Sequence, residues 1–273
     1  YGRGGYTMVD LVEDQFARAA HDDRVKAVIL KVNSPGGEVL ASDDIYTIVQ
    51  KFQKTTSKPV IADMGSLAAS GGYYVSAPCQ WIVANELTIT GSIGVIMHGY
   101  NFRGLLDKVG VRPEVFKSGR FKDMLSPDKR PEDITPEERE IVQSMVNETF
   151  DKFKSIVSEG RAGAAQKNKG DGKSLADNWE QYADGRILSG KEALRLGFVD
   201  ELGNFDVAVT RARKLANITD ANLVQYQQPF DLGDLFNIFG KSEASTIKID
   251  LGIDTPKLKL GHLYFICPTV LPR

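Results

Sequence analysis

The chain has few of the residues that build metal and redox sites. Among its 273 residues there are only two cysteines and three histidines. Cys79 and Cys267 lie far apart in sequence, which excludes a disulfide framework and a CxxC metal pattern. No group of histidine, cysteine and carboxylate residues has the spacing of metal ligands, and neither a Walker-type loop nor a GxGxxG motif is present. The sequence therefore predicts neither a metal nor a cofactor.

A long hydrophobic run and a strong net charge are also missing. No stretch reaches the roughly 20 apolar residues that span a bilayer, and the run 263–271 is broken by Pro268. The formal charge of −2 gives no reason to expect a nucleic-acid partner. The chain begins with Tyr1 and shows no cleavable signal. We therefore expect its true N-terminus, with any membrane anchor, to lie upstream.

What the chain does have is an alternation of helix and strand patterns. Apolar residues at helical spacing predict helices over 6–21 and 42–54. Nearly continuous apolar runs of strand length lie at residues 25–32, 59–64, 81–84 and 93–97. This alternation predicts an α/β fold with a mainly parallel sheet.

The second half has a more helical character. A short strand is predicted at 113–116. The cap Thr135, followed by Pro-Glu-Glu, predicts a helix that runs to about residue 159. Residues 160–174 are rich in glycine and lysine and predict a mobile loop, and further short helices are predicted over 189–197 and 205–215.

The C-terminal part lacks these patterns. From Gln227 onward the sequence predicts irregular or appended structure, such as an interaction arm. The chain therefore divides into a folded domain, residues 1–226, and a C-terminal tail of uncertain structure, residues 227–273.

The run Gly65-Ser-Leu-Ala-Ala-Ser-Gly-Gly-Tyr-Tyr places a serine, Ser70, between a predicted strand and a predicted helix. At a helix N-terminus, free N–H groups and the helix dipole favour a developing oxyanion, so Ser70 is a candidate nucleophile. The alternative is that Ser70 only caps the helix.

A second glycine turn, Asn33-Ser-Pro-Gly-Gly37, directly follows the first predicted strand. Its backbone N–H groups are not screened by side chains and can complete an oxyanion hole with the N–H of Gly71. The alternative is an ordinary turn between a strand and a helix.

Lys122, in the segment Ser-Gly-Arg-Phe-Lys-Asp, is a candidate general base for Ser70. A lysine acts as a base near neutral pH only where burial or neighbouring cations, here Lys117 and Arg120, disfavour its charged form. The alternative is a solvated surface lysine. A rival base is His98, just past the predicted strand 93–97, in a Ser-His-Asp triad whose aspartate the sequence does not identify.

Together these motifs closely resemble the signal peptide peptidase A family of serine proteases. The resemblance is carried by residues 25–40, 58–96 and 117–123, and more weakly by 183–190 and 196–203. It covers roughly residues 6–215 and matches the short bacterial form, which has one half where the long form has two. It implies a ClpP/crotonase-like fold of repeated ββα units, with a mainly parallel sheet and a helical second half.

The resemblance also implies roles for particular residues. Ser70 matches the nucleophile and Lys122 the general base of a Ser/Lys dyad. Ser92, in the motif Thr-Gly-Ser-Ile-Gly, matches a serine that holds the lysine in place. Gly37 and the amide of Gly71 match the oxyanion hole.

The function implied is that of a membrane-associated serine endopeptidase that cleaves apolar peptides, namely remnant signal peptides. The expected location is the cell membrane, with the catalytic domain on the extracytoplasmic side (periplasmic or extracellular) and an N-terminal anchor upstream of this chain. Because only one half is present, we expect a homo-oligomeric ring or dome in which Ser70 of one protomer meets Lys122 of its neighbour.

Two functions of other classes stay open at this stage. The same fold serves crotonase-type enzymes that act on acyl-CoA thioesters, and fold alone does not fix function. A non-catalytic peptide-binding or assembly module is the other alternative.

Overall fold

Strands and helices alternate along residues 7–226 and 263–266, which the computed structural model describes. The strands are β1 (Val28–Ser34), β2 (Gly36–Glu38), β3 (Val60–Ala69), β4 (Trp81–Ala84), β5 (Ile89–Gly91), β6 (Ile96–Met97), β7 (Ile187–Ser189), β8 (Glu201–Leu202) and β9 (Leu263–Ile266). The helices are α1 (Met8–His21), α2 (Val39–Thr56), α3 (Gly71–Ser76), α4 (Arg103–Lys108), α5 (Pro136–Lys167), α6 (Gly190–Arg195) and α7 (Phe205–Leu215). Two short 3-10 helices span Pro131–Asp133 and Trp179–Tyr182.

Six strands form a mostly parallel sheet centred on β3. The strand order is β7-β5-β3-β4-β8, and β1 also pairs with β3. The first half of β3 pairs in parallel with β1 and β4, and its second half pairs in parallel with β5. Only β7 runs antiparallel to its neighbour. This confirms the predicted α/β fold with a mainly parallel sheet.

Helices cover both faces of this sheet, which is why its strands are almost wholly apolar. Successive side chains of a strand point to opposite faces. Ile61 and Val83 therefore pack against Ala208 of α7, whereas Ala62 and Ile82 join the larger core formed with the other helices. In that larger core Phe52 of α2 packs edge-on against a phenylalanine of α1, with ring centroids 5.1 Å apart.

A second, smaller sheet consists of β2, β9 and β6 in that order. The central strand β9 runs antiparallel to both neighbours, with Phe265 opposite Gly37 and Tyr264 opposite Ile96. β9 belongs to the C-terminal tail, so this described part of the tail is a strand that packs on the domain. The rest of residues 227–273 lies outside the described residues.

The helix that begins after Thr135 is longer than the sequence predicted. α5 has the predicted cap, but it continues to Lys167, so residues 160–167 are helical and do not form the expected loop. Tertiary contacts hold this extension. Gly160 lies against the carbonyl of Ala77, where no β-carbon would fit, and Arg161 is buried in an ion pair with Asp200.

Three local predictions in the first half differ from the structure. Residues 113–116 form no strand. The strand expected at 93–97 is shortened to β6. A separate strand, β5, forms before β6 because β5 pairs with the second half of β3. The glycines of the predicted turn at 33–37 form the short strand β2.

Among the described residues, no helix combines the length and the apolarity that a bilayer span requires.

Candidate active site

Ser70 stands where β3 ends and α3 begins, in a backbone conformation that side chains rarely adopt. Its φ is 54° and its ψ is −117°. Its N–H donates a hydrogen bond to the carbonyl of Gly91, at 2.8 Å. Residues with side chains in such regions cost about 1–3 kcal/mol each and persist only where the surrounding structure holds them. The sharp turn therefore stores strain at the predicted nucleophile.

The side chain of Ser70 does not cap the helix. The residue occupies the cap position of α3, but no capping hydrogen bond is made. Its hydroxyl is fully buried and has no hydrogen-bond partner in the described part of the chain. A buried polar group without a partner costs free energy and calls for an explanation such as catalysis. Of the two interpretations of Ser70, this geometry favours the nucleophile.

The two glycine motifs meet beside Ser70. A β-carbon built on Gly71 would lie 3.0 Å from the amide nitrogen of Gly37 and 3.1 Å from the α-carbon of Gly36. Only glycine at position 71 lets the two backbones approach so closely. The structure thus brings together Ser70, Gly37 and Gly71, the predicted nucleophile and the predicted oxyanion hole.

Ser92 is also brought to this place. It directly follows β5, whose last residue, Gly91, pairs with Ala69 and accepts the hydrogen bond from the Ser70 N–H. Ser92 is buried and has a φ of 50°. Its N–H donates to the carbonyl of Arg186, at 2.7 Å. Ser92 therefore directly follows Gly91, whose carbonyl accepts the hydrogen bond from the backbone N–H of Ser70.

Lys122 is not brought to Ser70 within the chain. Its side chain is exposed and makes no hydrogen bond or ion pair with any described residue. Its backbone N–H donates to the carbonyl of Gly119, at 3.3 Å. The predicted base and the predicted nucleophile are therefore apart in a single protomer.

Ion pairs fasten the segment that carries Lys122 to the first turn of α5. We call residues 117–130 the lysine segment. Lys129 donates to Glu138 of α5 at 2.6 Å, and both side chains are largely buried. Within the segment, Lys117 pairs with Asp123 at 2.7 Å. The hydrogen bond from Lys129 lowers the pKa of Glu138, and the same bond raises the pKa of Lys129.

The lysine segment overlaps a stretch of chain with many exposed apolar side chains. We call residues 100–125 the apolar arm. Its exposed apolar side chains are Tyr100, Phe102, Leu105, Val109, Val111, Val115, Phe116 and Leu125. Phe116 is 89% exposed. Soluble monomers rarely leave such a concentration of apolar surface in water, so this surface has the character of an interface.

His98 is not paired with the nucleophile. It is exposed just after β6, and its ring packs edge-on against Tyr100 at a centroid distance of 4.8 Å. Since the hydroxyl of Ser70 has no partner in residues 7–226 and 263–266, no Ser-His hydrogen bond exists in the described chain. The geometry gives no support to a Ser-His-Asp triad.

A buried aromatic cluster beside the site was not predicted from the sequence. Phe265 of β9 is fully buried between Tyr74 of α3 and Phe153 of α5, with ring centroids 4.7 Å from each. The hydroxyl of Tyr74 donates to Asp43 at 2.6 Å. Burial, together with that hydrogen bond, raises the pKa of Tyr74. The Gly-Gly-Tyr-Tyr motif was the available signal, but only the folded structure shows that its second tyrosine, Tyr74, joins a buried aromatic cluster.

Other reactive groups do not compete for the catalytic role. Burial raises the pKa of Cys79 to about 12, which keeps its thiol protonated. Within the described residues, no group of three or more His, Cys, Asp or Glu side chains is arranged to hold a metal ion.

Comparisons with known proteins give a family match and several relatives with protease names. The peptidase family S49 matches residues 52–219. A Synechocystis protein that carries a protease name is 37% identical over 244 residues, which cover 89% of this chain and 82% of that protein. An Enterococcus faecium protein named for signal peptide peptidase SppA is 38% identical over 213 residues, covering 78% of this chain and 58% of that protein. Protease 4 of Haemophilus influenzae is 38% identical over 225 residues, covering 81% of this chain and 33% of that protein.

These relatives are longer than the part that this chain matches. The family match nevertheless extends over more than half of the chain and includes Ser70, Ser92 and Lys122. The chain therefore belongs to peptidase family S49, a family of serine peptidases.

Proposed function

We propose that the protein is an endopeptidase that hydrolyses apolar peptides, with remnant signal peptides as its natural substrates. Ser70 is the nucleophile, and Lys122 of a neighbouring protomer is the general base. The observation that carries the proposal is the hydroxyl of Ser70, which is buried and unpartnered on a strained backbone beside the amides of Gly37 and Gly71.

The chemistry proceeds through an acyl-enzyme. The amine of Lys122 takes the proton of the Ser70 hydroxyl as its oxygen attacks the peptide carbonyl carbon. The N–H groups of Gly37 and Gly71 stabilise the resulting oxyanion, and each such donor is typically worth about 3–4 kcal/mol of barrier. The lysine then protonates the leaving amine and activates the water that hydrolyses the ester. Ser92 orients the lysine amine during both steps.

The exposed lysine supports a site shared between protomers. Lys122 has no side-chain partner in the described chain, and the apolar arm that carries it leaves Phe116 almost fully exposed. Both features are explained if the arm packs against a second copy and inserts Lys122 beside that copy's Ser70. A closed ring or dome repeats this contact around the assembly, since head-to-tail contacts between identical subunits form a ring when the rotation between neighbours closes. Such an enclosure admits extended peptides and excludes folded proteins.

The location follows from the resemblance. We place the domain at the extracytoplasmic face of the cell membrane, tethered by an anchor upstream of this chain. Remnant signal peptides are apolar and lie in the bilayer, so a peptidase at its surface has direct access to them. The acyl-CoA alternative has no specific observation in its favour, since the relatives named above carry protease names.

Hydrolysis of an apolar fluorogenic peptide by the variant Lys122→Ala tests the base. We expect a loss of at least 100-fold in kcat/KM, since general-base catalysis typically contributes 10²–10⁴-fold. The matched control is Lys108→Ala, another lysine of the apolar arm, which should keep wild-type activity. Light scattering checks that both variants assemble.

A fluorophosphonate probe tests the nucleophile separately. It should label Ser70 in the wild-type assembly and give no adduct in Ser70→Ala. If Lys122→Ala is assembled and active, Lys122 is not the base, and His98 becomes the next residue to substitute. If no nucleophile probe labels Ser70, the non-catalytic alternative is favoured.

A further inference from the structure

Asn33 lies at an irregularity in the pairing of β1 with β3. The register of this parallel pair shifts between Val32 and Ser34. There β3 has three residues, 65–67, opposite Asn33 alone. Such a bulge interrupts the backbone ladder and bends the strand that carries the extra residues. The two strands therefore need another contact to stay in register beyond this point.

The side chain of Asn33 supplies that contact. Its Oδ1 accepts a hydrogen bond from the Leu67 N–H at 3.2 Å and a longer one from the Ser66 hydroxyl at 3.4 Å. Gly65 approaches the same amide closely, because a β-carbon built on Gly65 would lie 2.9 Å from Oδ1. Asn33 thus joins β1 to β3 through its side chain, at the point where the backbone pairing is irregular.

The part of β3 that Asn33 holds leads directly to Ser70. Leu67 is the first residue of β3 that pairs with β5, where it lies opposite Ile89. The same pairing ends with Ala69 opposite Gly91, whose carbonyl accepts the hydrogen bond from the Ser70 N–H at 2.8 Å. A displacement of β3 at Leu67 is therefore carried to the proposed nucleophile.

The part of the chain that follows Asn33 leads to the proposed oxyanion hole. The hydroxyl of Ser34 accepts a hydrogen bond from the Gly36 N–H at 3.1 Å. The carbonyl of Ser34 lies against α3, where a β-carbon built on Gly72 would come within 2.7 Å of its oxygen. Gly37 follows in β2. The position of β1 at Asn33 therefore sets where the Gly37 amide meets the start of α3.

From these contacts we infer that Asn33 is a positioning residue, whose side-chain oxygen keeps the Gly37 amide in register with the Ser70 hydroxyl. Asn33 acts through Leu67 on one strand and through Gly37 on the other. The inference rests on the proposed peptidase function for its catalytic meaning, whereas the link between the strands does not depend on that function. A misplacement of reacting groups by about 1 Å can cost about 100-fold in rate, so a contact that sets their spacing has a large effect on catalysis.

Steady-state hydrolysis of an apolar fluorogenic peptide by the full-length chain tests the role of Asn33 in catalysis. Asn33→Ala should lower kcat at least tenfold and change KM by less than threefold, because a misplaced oxyanion hole weakens binding of the transition state and not of the substrate. Asn33→Asp keeps an acceptor oxygen and should bring kcat back to within threefold of wild type. Its new charge is on an exposed side chain, where water and salt screen it. Asn147→Ala is the matched control, since it removes a hydrogen bond with Gln143 on the exposed side of α5, and it should keep wild-type kcat.

Hydrogen exchange of the same proteins measures the link between the strands without catalysis. In Asn33→Ala, the backbone amides of residues 34–38 and 66–71 should both exchange at least tenfold faster than in wild type. Residues 81–84 of β4 pair with the first half of β3, before the bulge, and should be unchanged. Asn33→Asp should exchange as wild type in all three segments.

The inference is overturned if Asn33→Ala keeps wild-type kcat, if its loss of activity is a rise in KM alone, or if Asn33→Asp does not restore kcat. Equal acceleration of exchange in residues 81–84 would also overturn it, since Asn33 would then act on the stability of the whole domain. Faster exchange in 34–38 and 66–71 of a protein whose wild type hydrolyses no peptide would retain the link between the strands and reject the peptidase function. Unchanged exchange in an active peptidase would retain the function and reject the role of Asn33.

Discussion

At the scale of single residues, Ser70 combines two costs that a purely structural serine avoids. It holds a positive φ at a sharp strand-to-helix turn, and it buries a hydroxyl that no described group bonds. Active sites are places where proteins retain such local strain, because the surrounding structure compensates for it. The sequence predicted Ser70 as the nucleophile from its small neighbours. The sequence did not reveal that the Ser70 side chain makes no capping hydrogen bond to α3.

Substitution of Ser70 should therefore stabilise the protein while removing activity. Ser70→Ala removes the unsatisfied hydroxyl, so it should be at least as stable as wild type. Ser70→Gly also relieves the backbone strain, and after the entropy that glycine costs, a net gain of about 1 kcal/mol over Ser70→Ala remains. Thermal unfolding should show this as a rise in Tm of roughly 2–4 °C.

The comparison of these two variants isolates the effect of backbone strain on stability, because neither variant has a hydroxyl at position 70. If Ser70→Gly unfolds at a lower temperature than Ser70→Ala, the turn at residue 70 is not strained in the folded protein. Both variants should fail to react with the fluorophosphonate probe.

At the scale of elements, the lysine segment depends on the first turn of α5. Lys129 reaches Glu138 from the segment, and the exposed Arg120 reaches Glu137 at 2.6 Å. The Lys129–Glu138 contact is largely buried. The Arg120–Glu137 contact is exposed to solvent, where ion pairs contribute little to stability. The sequence predicted the start of α5 from Thr135 but not this attachment. Contacts between a loop and a helix depend on how the chain is folded in space.

The Lys129–Glu138 contact predicts an acid-sensitive lysine segment. The bond from Lys129 holds the pKa of Glu138 below its usual value. A carboxyl with a lowered folded-state pKa stabilises the fold above its unfolded pKa, about 4.3, and loses this effect as the pH falls through the folded value. In wild type, hydrogen exchange in residues 117–130, corrected for intrinsic rates, should therefore accelerate below about pH 4.

The variant Glu138→Gln should exchange rapidly in this segment already at pH 7 and show less acid acceleration than wild type, since only the Asp123 pairs remain to be titrated. The control Glu137→Gln removes the exposed pair with Arg120 and should behave as wild type. Equal exchange in all three proteins at pH 7 would show that Glu138 does not hold the segment.

At the scale of the whole molecule, the chain keeps the proposed nucleophile apart from the proposed base. Ser70 and its glycine amides are complete within one protomer, whereas Lys122 is exposed on the apolar arm. The proposed assembly brings the two halves of the site together across an interface, so activity should belong to the assembly and not to the single chain.

Complementation between two inactive variants measures this directly. Ser70→Ala and Lys122→Ala are each expected to be inactive alone. After co-assembly in equal amounts, about a quarter of wild-type activity should return, because random neighbours in a ring pair an intact serine with an intact lysine in one site of four. Absence of any recovery in a mixed assembly, with mixing verified by mass spectrometry, would contradict a shared site.

By itself, the sequence determined the α/β class and the helices over α1, α2 and α7, and it predicted the residues of the candidate site. These features depend on local patterns: hydrophobic periodicity, capping residues such as Thr135, and glycines at tight turns. Local patterns are readable in sequence because each arises from neighbours within a few residues.

Only the tertiary structure decided how far α5 runs, where Lys122 lies and which strand lies between β2 and β6. The extension of α5 depends on the burial of Gly160 against Ala77 and on the ion pair of Arg161 with Asp200. The strand β9 lies more than 200 residues from the Gly36–Glu38 strand with which it pairs. Such contacts join residues distant in sequence, and their free energy depends on packing and register that no local pattern encodes.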